Sequence, residues 1–313
     1  MFLTAAGLAV DVTRRQKLGF ISHAHADHIA AHELAFCTPE TAALYRHRCG
    51  THRRTHEMPY RQPVELGPLR LTAFPAGHCL GSAMLLVESM EQSLLYTGDF
   101  KLGASETSAQ AELPAADILV MESTFGRPKY RMPPREEVIG ELIDLVRSLL
   151  GNGNTPVLHA YALGKAQEVT KLLTAAGIPV QQHPMIFSVS EVYRECGVDL
   201  GRISKYDGKL LPGHVVMTLP RGMKQFRLTG IDSPVSIAVT GWAIDSSTKY
   251  RQKVDYALPL SDHADFDDLV ETVALVGAKQ IYCTHGPREF VEHLRAEGFN
   301  AFPVTGSYQT RMF

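Results

Sequence analysis

The chain has 313 residues, 45% of them hydrophobic and 20% charged, enough for one large domain or two modest ones with a sizeable core. A formal net charge of -2 removes any global basic excess that would advertise nucleic acid by itself, although a local basic groove is compatible with it. Five cysteines with no C-x-x-C spacing argue against a disulfide framework or a cysteine-ligated zinc, and no run approaches the length of a membrane span, so a cytoplasmic protein without membrane contact is expected.

From residue 8 to about 125 the chain reads as short β-rich runs broken by Gly, Pro and Asp: "LAVDV", "LGFIS", "LRLTAF", "SAMLLVE", "SLLYTGD" and "DILVMEST". One helix interrupts them at "TPETAALYRHR", with Thr38 as cap and Pro39 at the first helical position. Beyond "TFGRPKYRMPP" strands and helices alternate. Val138, Leu142, Leu145 and Leu149 recur at helical spacing up to Gly151. "TPVLHAYA" then reads as a buried strand, "LGKAQEVTKLLTAAG" as a helix, "SVSEVYREC" as another, and "VSIAVTGWA" as a strand. The end of the chain repeats the alternation with helical "DDLVETVALVGA", extended "QIYCTH" and helical "PREFVEHLRAEG".

The densest chemistry lies in "FISHAHADHIAAH", where His23, His25, Asp27 and His28 follow an apolar run and so occupy the loop at a strand end. Four donors this close cannot all wrap one ion held at about 2.0–2.2 Å, so alternate residues would serve two neighbouring ions. His78 in "AGHCLGSAM", Asp99 in "LLYTGDF" and His285 in "IYCTHG" also end β runs. Each of these three, taken singly, reads as a hydrogen-bonded loop residue; together with the 23–28 cluster they read as a metal set.

The whole resembles the metallo-β-lactamase superfamily, whose His-x-His-x-Asp-His signature is met in full, with its later His and Asp matched by "GHCLGSA" and "TGD". The resemblance implies two divalent ions, zinc or manganese with iron as a third option. His23, His25 and His78 would hold one, Asp27, His28 and His285 the other, and Asp99 would bridge them. Asp11, ending "GLAVDV", would orient ligands rather than bind.

Three further stretches narrow the resemblance to the β-CASP nucleases. "VMESTFG" with Glu122, "LSDHADFDDL" with His263 and "CTHG" with His285 resemble their motifs A, B and C in order, and "YALGKAQEV" resembles a segment of their cap. "ESTFGRPKYRMP" and "TGWA" look most like bacterial DNA-ligase-associated exonucleases, relatives of crosslink-repair nucleases. The implied fold is α/β (α+β): a metallo-β-lactamase αββα sandwich over 1–125 and 259–313, carrying an inserted β-CASP-like α/β cap over 126–258.

The implied activity is a DNA exonuclease on single-stranded ends in repair, with Asp27, His263 and Glu122 as catalytic residues. Breaking a phosphodiester expels an alkoxide, so an imidazolium at His263 suits a general acid, and Glu122 would orient it and favour its charged form. His263 could instead cap the helix "DFDDLVETV" beside Asp262, and Glu122 could be a surface acid. For phosphate binding the turn "AYALGKAQ" offers backbone N–H groups and Lys165, and Ser123, Thr124, Arg127 and Lys129 are further candidates. Partners by resemblance are nucleic acid, DNA before RNA, and a ligase or helicase repair system. The alternatives are a β-CASP ribonuclease and, from another class, an ester or lactone metallohydrolase.

Overall fold

The computed structural model describes residues 1–220 and 229–304, so the tail 305–313 assigned above to the catalytic domain lies outside the described residues. The chain divides into two compact units, 1–130 with 263 onward, and 131–262.

The first unit begins with β1 (Phe2–Leu3), β2 (Leu8–Val10), β3 (Leu18–Phe20) and β4 (Leu34–Cys37). Helix α1 (Pro39–Cys49) follows, then β5 (Thr55–Glu57), β6 (Pro63–Leu66), β7 (Leu69–Pro75), β8 (Ala83–Glu88), β9 (Ser93–Tyr96) and β10 (Ile118–Glu122). Thr38 caps α1 by accepting from the Thr41 N–H, and Pro39 takes the first turn, where its missing N–H is not needed.

The second unit contains α2 (Arg135–Gly151), β11 (Thr155–His159), α3 (Lys165–Ala175), β12 (Val180–Gln182), α4 (Pro184–Glu195), β13 (Ile203–Lys205) and β14 (Val215–Thr218). It ends with β15 (Pro234–Val239), α5 (Ser247–Gln252) and β16 (Tyr256–Leu258). The chain then returns to the first unit as α6 (Phe266–Val276), β17 (Gln280–Thr284), α7 (Arg288–Ala296) and β18 (Ala301–Pro303).

In the first unit β1 to β5 form one sheet in sequence order, and a second sheet runs β18-β17-β10-β9-β8-β7-β6. Their facing sides share one core, in which Leu8, Val10, Phe20 and Phe36 of the first sheet meet Leu71, Leu85, Leu94 and Val120 of the second. The outer face of the second sheet, with Leu95, Leu119, Met121 and Ile281, packs on Phe266, Leu269 and Val273 of α6 and on Phe290 and Leu294 of α7. Ala42 and Tyr45 of α1 cover Ile21, Ala35 and Cys37 on the other side. The layers are therefore helix, sheet, sheet, helix, and alternate residues along each buried strand serve opposite faces.

The second unit is a six-stranded parallel sheet in the order β13-β12-β14-β11-β15-β16. One face packs on α2 and α3 through Val138, Leu142, Val146, Val169 and Leu173. Such a sheet needs crossover helices, which the alternation in the sequence supplies.

Local differences from the sequence reading have local causes. Helix α4 starts at Pro184, ahead of "SVSEVYREC", because His183 caps it by accepting from the Met185 N–H and Pro184 opens its first turn. "TGWA" leaves the strand for a 3-10 turn over Gly241–Ile244. On α2, Leu145 is only half-buried, while Ile139 and Val146 complete the buried stripe. The unit boundaries fall at 130/131 and 262/263 rather than at 125/126 and 258/259. Phe125 and Tyr130 make a ring contact at 5.4 Å and the Tyr130 carbonyl accepts from the Phe266 N–H, holding 126–130 in the first unit. Leu260 belongs to the second unit's core.

Candidate metal centre

Strand ends gather the polar residues of the first unit. Asp11 follows β2, the 21–28 loop follows β3, His78 follows β7, Asp99 follows β9, Glu122 ends β10 and His285 follows β17. Asp11 and His285 both hold left-handed backbone, at φ 45° and 54°, so the chain turns sharply at both points.

The imidazoles converge nitrogen to nitrogen. His23 Nε2 stands 3.0 Å from His25 Nδ1, His78 Nε2 3.1 Å from the same Nδ1, and Asp99 Oδ2 3.5 Å from His23 Nε2. Two ligands about 2.0–2.2 Å from one ion at the tetrahedral angle are about 3.3–3.6 Å apart; the Asp99 contact falls in that range and the two imidazole contacts fall a few tenths of an ångström short of it, so the four residues could hold a single divalent cation after a small spreading of the rings. Asp99 Oδ2 also lies 3.4 Å from His28 Nε2, which is 3.8 Å from Asp27 Oδ2, and His28, Asp99 and His285 form a second group of donor atoms within 4.8 Å of one another. Asp99 is common to both groups. His23, His28, His78 and Asp99 are buried, whereas His25 is half-buried and Asp27 and His285 are exposed, which leaves one side open to solvent.

Behind the cluster the hydrogen bonds fix the tautomers. With Nε2 of His23 turned to the cluster, its Nδ1–H donates to Ser22 Oγ at 2.9 Å, and that hydroxyl donates on to Asp11 Oδ2. His28 Nδ1–H donates to the same Asp11 oxygen at 2.8 Å, the Tyr96 hydroxyl donates to it at 2.9 Å, and the Ser22 N–H donates to Asp11 Oδ1. Asp11 thus bonds two of the histidines from behind, through Ser22 and directly, and one of its oxygens also lies with His23 and His28 in a group of donor atoms within 4.8 Å. Ser22 and Tyr96 were not singled out from the sequence. Ser22 immediately precedes the first histidine, a position that could have marked it, whereas Tyr96 reads as one more apolar strand residue.

Electrostatics follow from burial and neighbours. Burial, with three neighbouring imidazoles adding to it, holds His23 well below its ordinary range. Burial acts the same way on His28, but hydrogen bonds to Asp11 and Asp99 outweigh it and raise the ring to about 11. Burial would raise Asp99, yet His28, His23 and His263 pull it well below the usual carboxylate range. A cation entering here must displace the proton on His28, so its binding releases acid.

Beside the cluster, His263 Nδ1 lies 2.9 and 3.1 Å from the two oxygens of Glu122, and the His263 ring is 4.6 Å from that of His78. Glu122 is 1% exposed and also accepts from the Phe100 N–H at 2.9 Å, so it is a fixed internal acceptor and not a surface acid. The cap of α6 is Asp265, which accepts from the N–H groups of Asp267 and Asp268.

Most of the proposed phosphate contacts have partners within the chain. Ser123 is buried and its hydroxyl donates to the Thr284 carbonyl at 3.0 Å; Thr124 beside it is half-buried. Arg127 pairs with Glu289 at 3.0 Å, and the Lys129 ammonium lies 4.9 Å over the Tyr130 ring. Within the second unit Lys165 is 1% exposed, with Glu168 at 3.1 Å and Asp262 at 3.7 Å. The N–H groups of the turn before it are satisfied internally, Gly164 by the Gln167 side chain at 2.9 Å and Ala166 by the Tyr161 carbonyl at 3.1 Å.

A profile of the beta-lactamase superfamily domain matches residues 10–171, half of the chain, and includes the signature loop, His78 and Asp99. The chain belongs to the metallo-β-lactamase superfamily. Within that superfamily it is similar to a probable DNA ligase of Opitutus terrae, 36% identical over 97% of this chain and 30% of the relative. It also resembles endoribonuclease YSH1 of Kluyveromyces lactis, 33% identical over 38% of this chain and 16% of the relative. An RNase J-like protein of Methanocaldococcus jannaschii is 28% identical over 49% of this chain and 42% of the relative. The chain thus spans less than half the length of each of these relatives. Among the described residues no helix is long and apolar enough to cross a membrane.

Proposed function

We propose that the protein is a metal-dependent phosphodiesterase, a DNA exonuclease acting on single-stranded ends. The observation that carries the reading is His263: an imidazole clamped through Nδ1 by the buried Glu122 and set against His78 of the metal cluster. Alkyl esters and lactones also expel an alkoxide, so the choice of a phosphodiester rests on the nucleic-acid-acting names of the relatives.

A pair of divalent ions, when bound, would activate water and neutralise charge building on the phosphate. His23, His25, His78 and Asp99 would hold one, and Asp27, His28, Asp99 and His285 the other; zinc, manganese and iron all suit these donors. Asp27, 80% exposed along its side chain, is the loop carboxylate most open to incoming water and substrate. Glu122 accepts from Nδ1–H, which assigns proton exchange to Nε2 of His263, and its negative charge favours the imidazolium. That Nε2–H protonates the departing alkoxide.

DNA is favoured because the relative matching 97% of the chain is named a probable DNA ligase, while the two ribonuclease relatives match less than half of it. The same relative, more than three times the matched length, favours work beside a ligase in repair. The second reading, a ribonuclease, rests on those two shorter matches. The deciding experiment reconstitutes the protein with zinc or manganese and offers end-labelled single-stranded DNA and RNA of one sequence, with Asp99→Ala as control. Metal-dependent shortening of DNA alone supports the reading, and cleavage of RNA alone replaces it with the second. If neither strand is cut by protein that holds its metals, the phosphodiesterase assignment falls.

A further inference from the structure

The last turn of α1 carries Arg46, His47 and Arg48, and the two arginines are used differently. Arg46 lies 3.1 Å from Glu57 and also donates to Thr55. Arg48 is exposed, and its Nη1 donates to the backbone carbonyl of Ala24 at 2.7 Å. Ala24 is the buried residue between His23 and His25, whose ring nitrogens stand 3.0 Å apart in the metal cluster. A guanidinium is therefore tied directly to the backbone of the signature loop.

The partner atom matters as much as the position. Arg61 faces Glu112 and Arg127 faces Glu289, so a carboxylate offsets each of those charges. A carbonyl fixes the guanidinium while leaving its positive charge in place. Of its five N–H donors the Ala24 bond engages one. An arginine so anchored has little side-chain entropy left to lose when an anion arrives, and its planar fork matches a phosphate in bidentate geometry.

We propose that Arg48 is a phosphate-binding residue at the rim of the metal centre, gripping a backbone phosphate of a single nucleic-acid strand beside the scissile one. The inference rests on the phosphodiesterase reading and extends it. Contact with phosphate alone carries no sequence information, so Arg48 would secure strands of any sequence.

The test measures binding of a fluorescein-labelled, mixed-sequence single-stranded oligodeoxynucleotide to the metal-free protein by anisotropy, from about 50 to 200 mM salt. That range is where counterion release is read. Arg48→Ala and Arg48→Lys are compared with the wild type, and the zinc content of each reconstituted protein is measured in parallel. Arg48→Ala should bind severalfold more weakly, with the slope of log affinity against log salt shallower by about 0.7, the value for one lost phosphate contact on a single strand. Arg48→Lys should keep the wild-type slope with intermediate affinity, which separates a lost charge from a misfolded loop. Wild-type affinity and slope in Arg48→Ala overturn the proposal, and a fall in zinc content alongside them leaves Arg48 as a tie for the loop only. A wild-type protein that does not bind the strand at all removes the phosphodiesterase reading and this inference together, an outcome distinct from the first.

Discussion

Two turns of this chain follow a parallel strand and carry a dense set of ionisable residues, and they resolve their charges in opposite ways. At the loop after β3 the ring nitrogens of His23 and His25, joined by that of His78 from the end of β7, stand 3.0–3.1 Å apart, a convergence of like metal-ligand atoms. In the turn before α3, Lys165 meets Glu168 and Asp262, while Arg135 reaches the other oxygen of Glu168 at 3.1 Å. Opposite charges there satisfy each other. The first arrangement offers donors that could hold an ion from outside; the second sets its charges against one another internally. Converging like donors point to a binding site, whereas a buried pair of opposite sign points to function only where it stands beside such donors, as His263 and Glu122 do and Lys165 and Glu168 do not.

That contrast can be broken by substitution. Asp99→Ala, which removes the residue common to both donor groups, should take hydrolysis to background and reduce metal content, read by elemental analysis of the purified protein. The folded state should survive it. His263→Ala should lower turnover by about 10²–10⁴-fold, the range for a lost general acid, with metal content unchanged. Loss of metal in that variant would move His263 into the ligand set and end its assignment as proton donor. Lys165→Met should act the other way round: about 3–5 kcal/mol of stability lost because Glu168 and Asp262 keep buried charge without their ammonium, measured by denaturant unfolding, with metal content retained. If Lys165→Met unfolds no more easily but weakens oligonucleotide binding, the turn is an anion site after all. Ser22→Ala should weaken metal affinity by about 10–100-fold, since it cuts the chain of hydrogen bonds that holds the His23 tautomer. Unchanged affinity in a competition titration with a chelator would show that packing alone orients that ring.

The sequence made the metal site legible for the same reason that it works. Short polar side chains at alternate loop positions after an apolar strand have no partners within their own segment, so their purpose must lie outside it. His78, Asp99 and His285 were readable only as a group, because each sits alone at its strand end and sheet topology brings them together. The strands of the first unit were visible in its β-rich runs, whereas its layering was expected only from the family resemblance. Short strands such as β12 (Val180–Gln182) and β13 (Ile203–Lys205) were not, because three residues carry too little periodicity to register. Phosphate contacts are the hardest to read from sequence. A basic residue in a loop looks the same in sequence whether it faces a carboxylate, as Arg127 does, or a neutral carbonyl, as Arg48 does.

The smallest effect concerns a charge that belongs to neither turn. Asp268 lies in the first turn of α6, the helix that follows His263, and burial together with the nearby Asp265 charge raises its carboxyl to about 6. An ordinary unfolded aspartate titrates near 3.9. Between these values the folded state binds the proton that the unfolded state has released, so folding is favoured as pH falls through about 6 and opposed by the charged form above it. Asp268→Asn removes the charge while leaving the backbone N–H bond to Asp265 intact. The variant should melt at a higher temperature than wild type at about pH 7.5–8, and the gain should shrink as pH falls through about 6 and vanish only by about pH 3, below the unfolded value, where the group is protonated in both states. A gain of equal size at both pH values would trace the effect to packing, and no gain at either would mean that the positive end of α6 already compensates the charge.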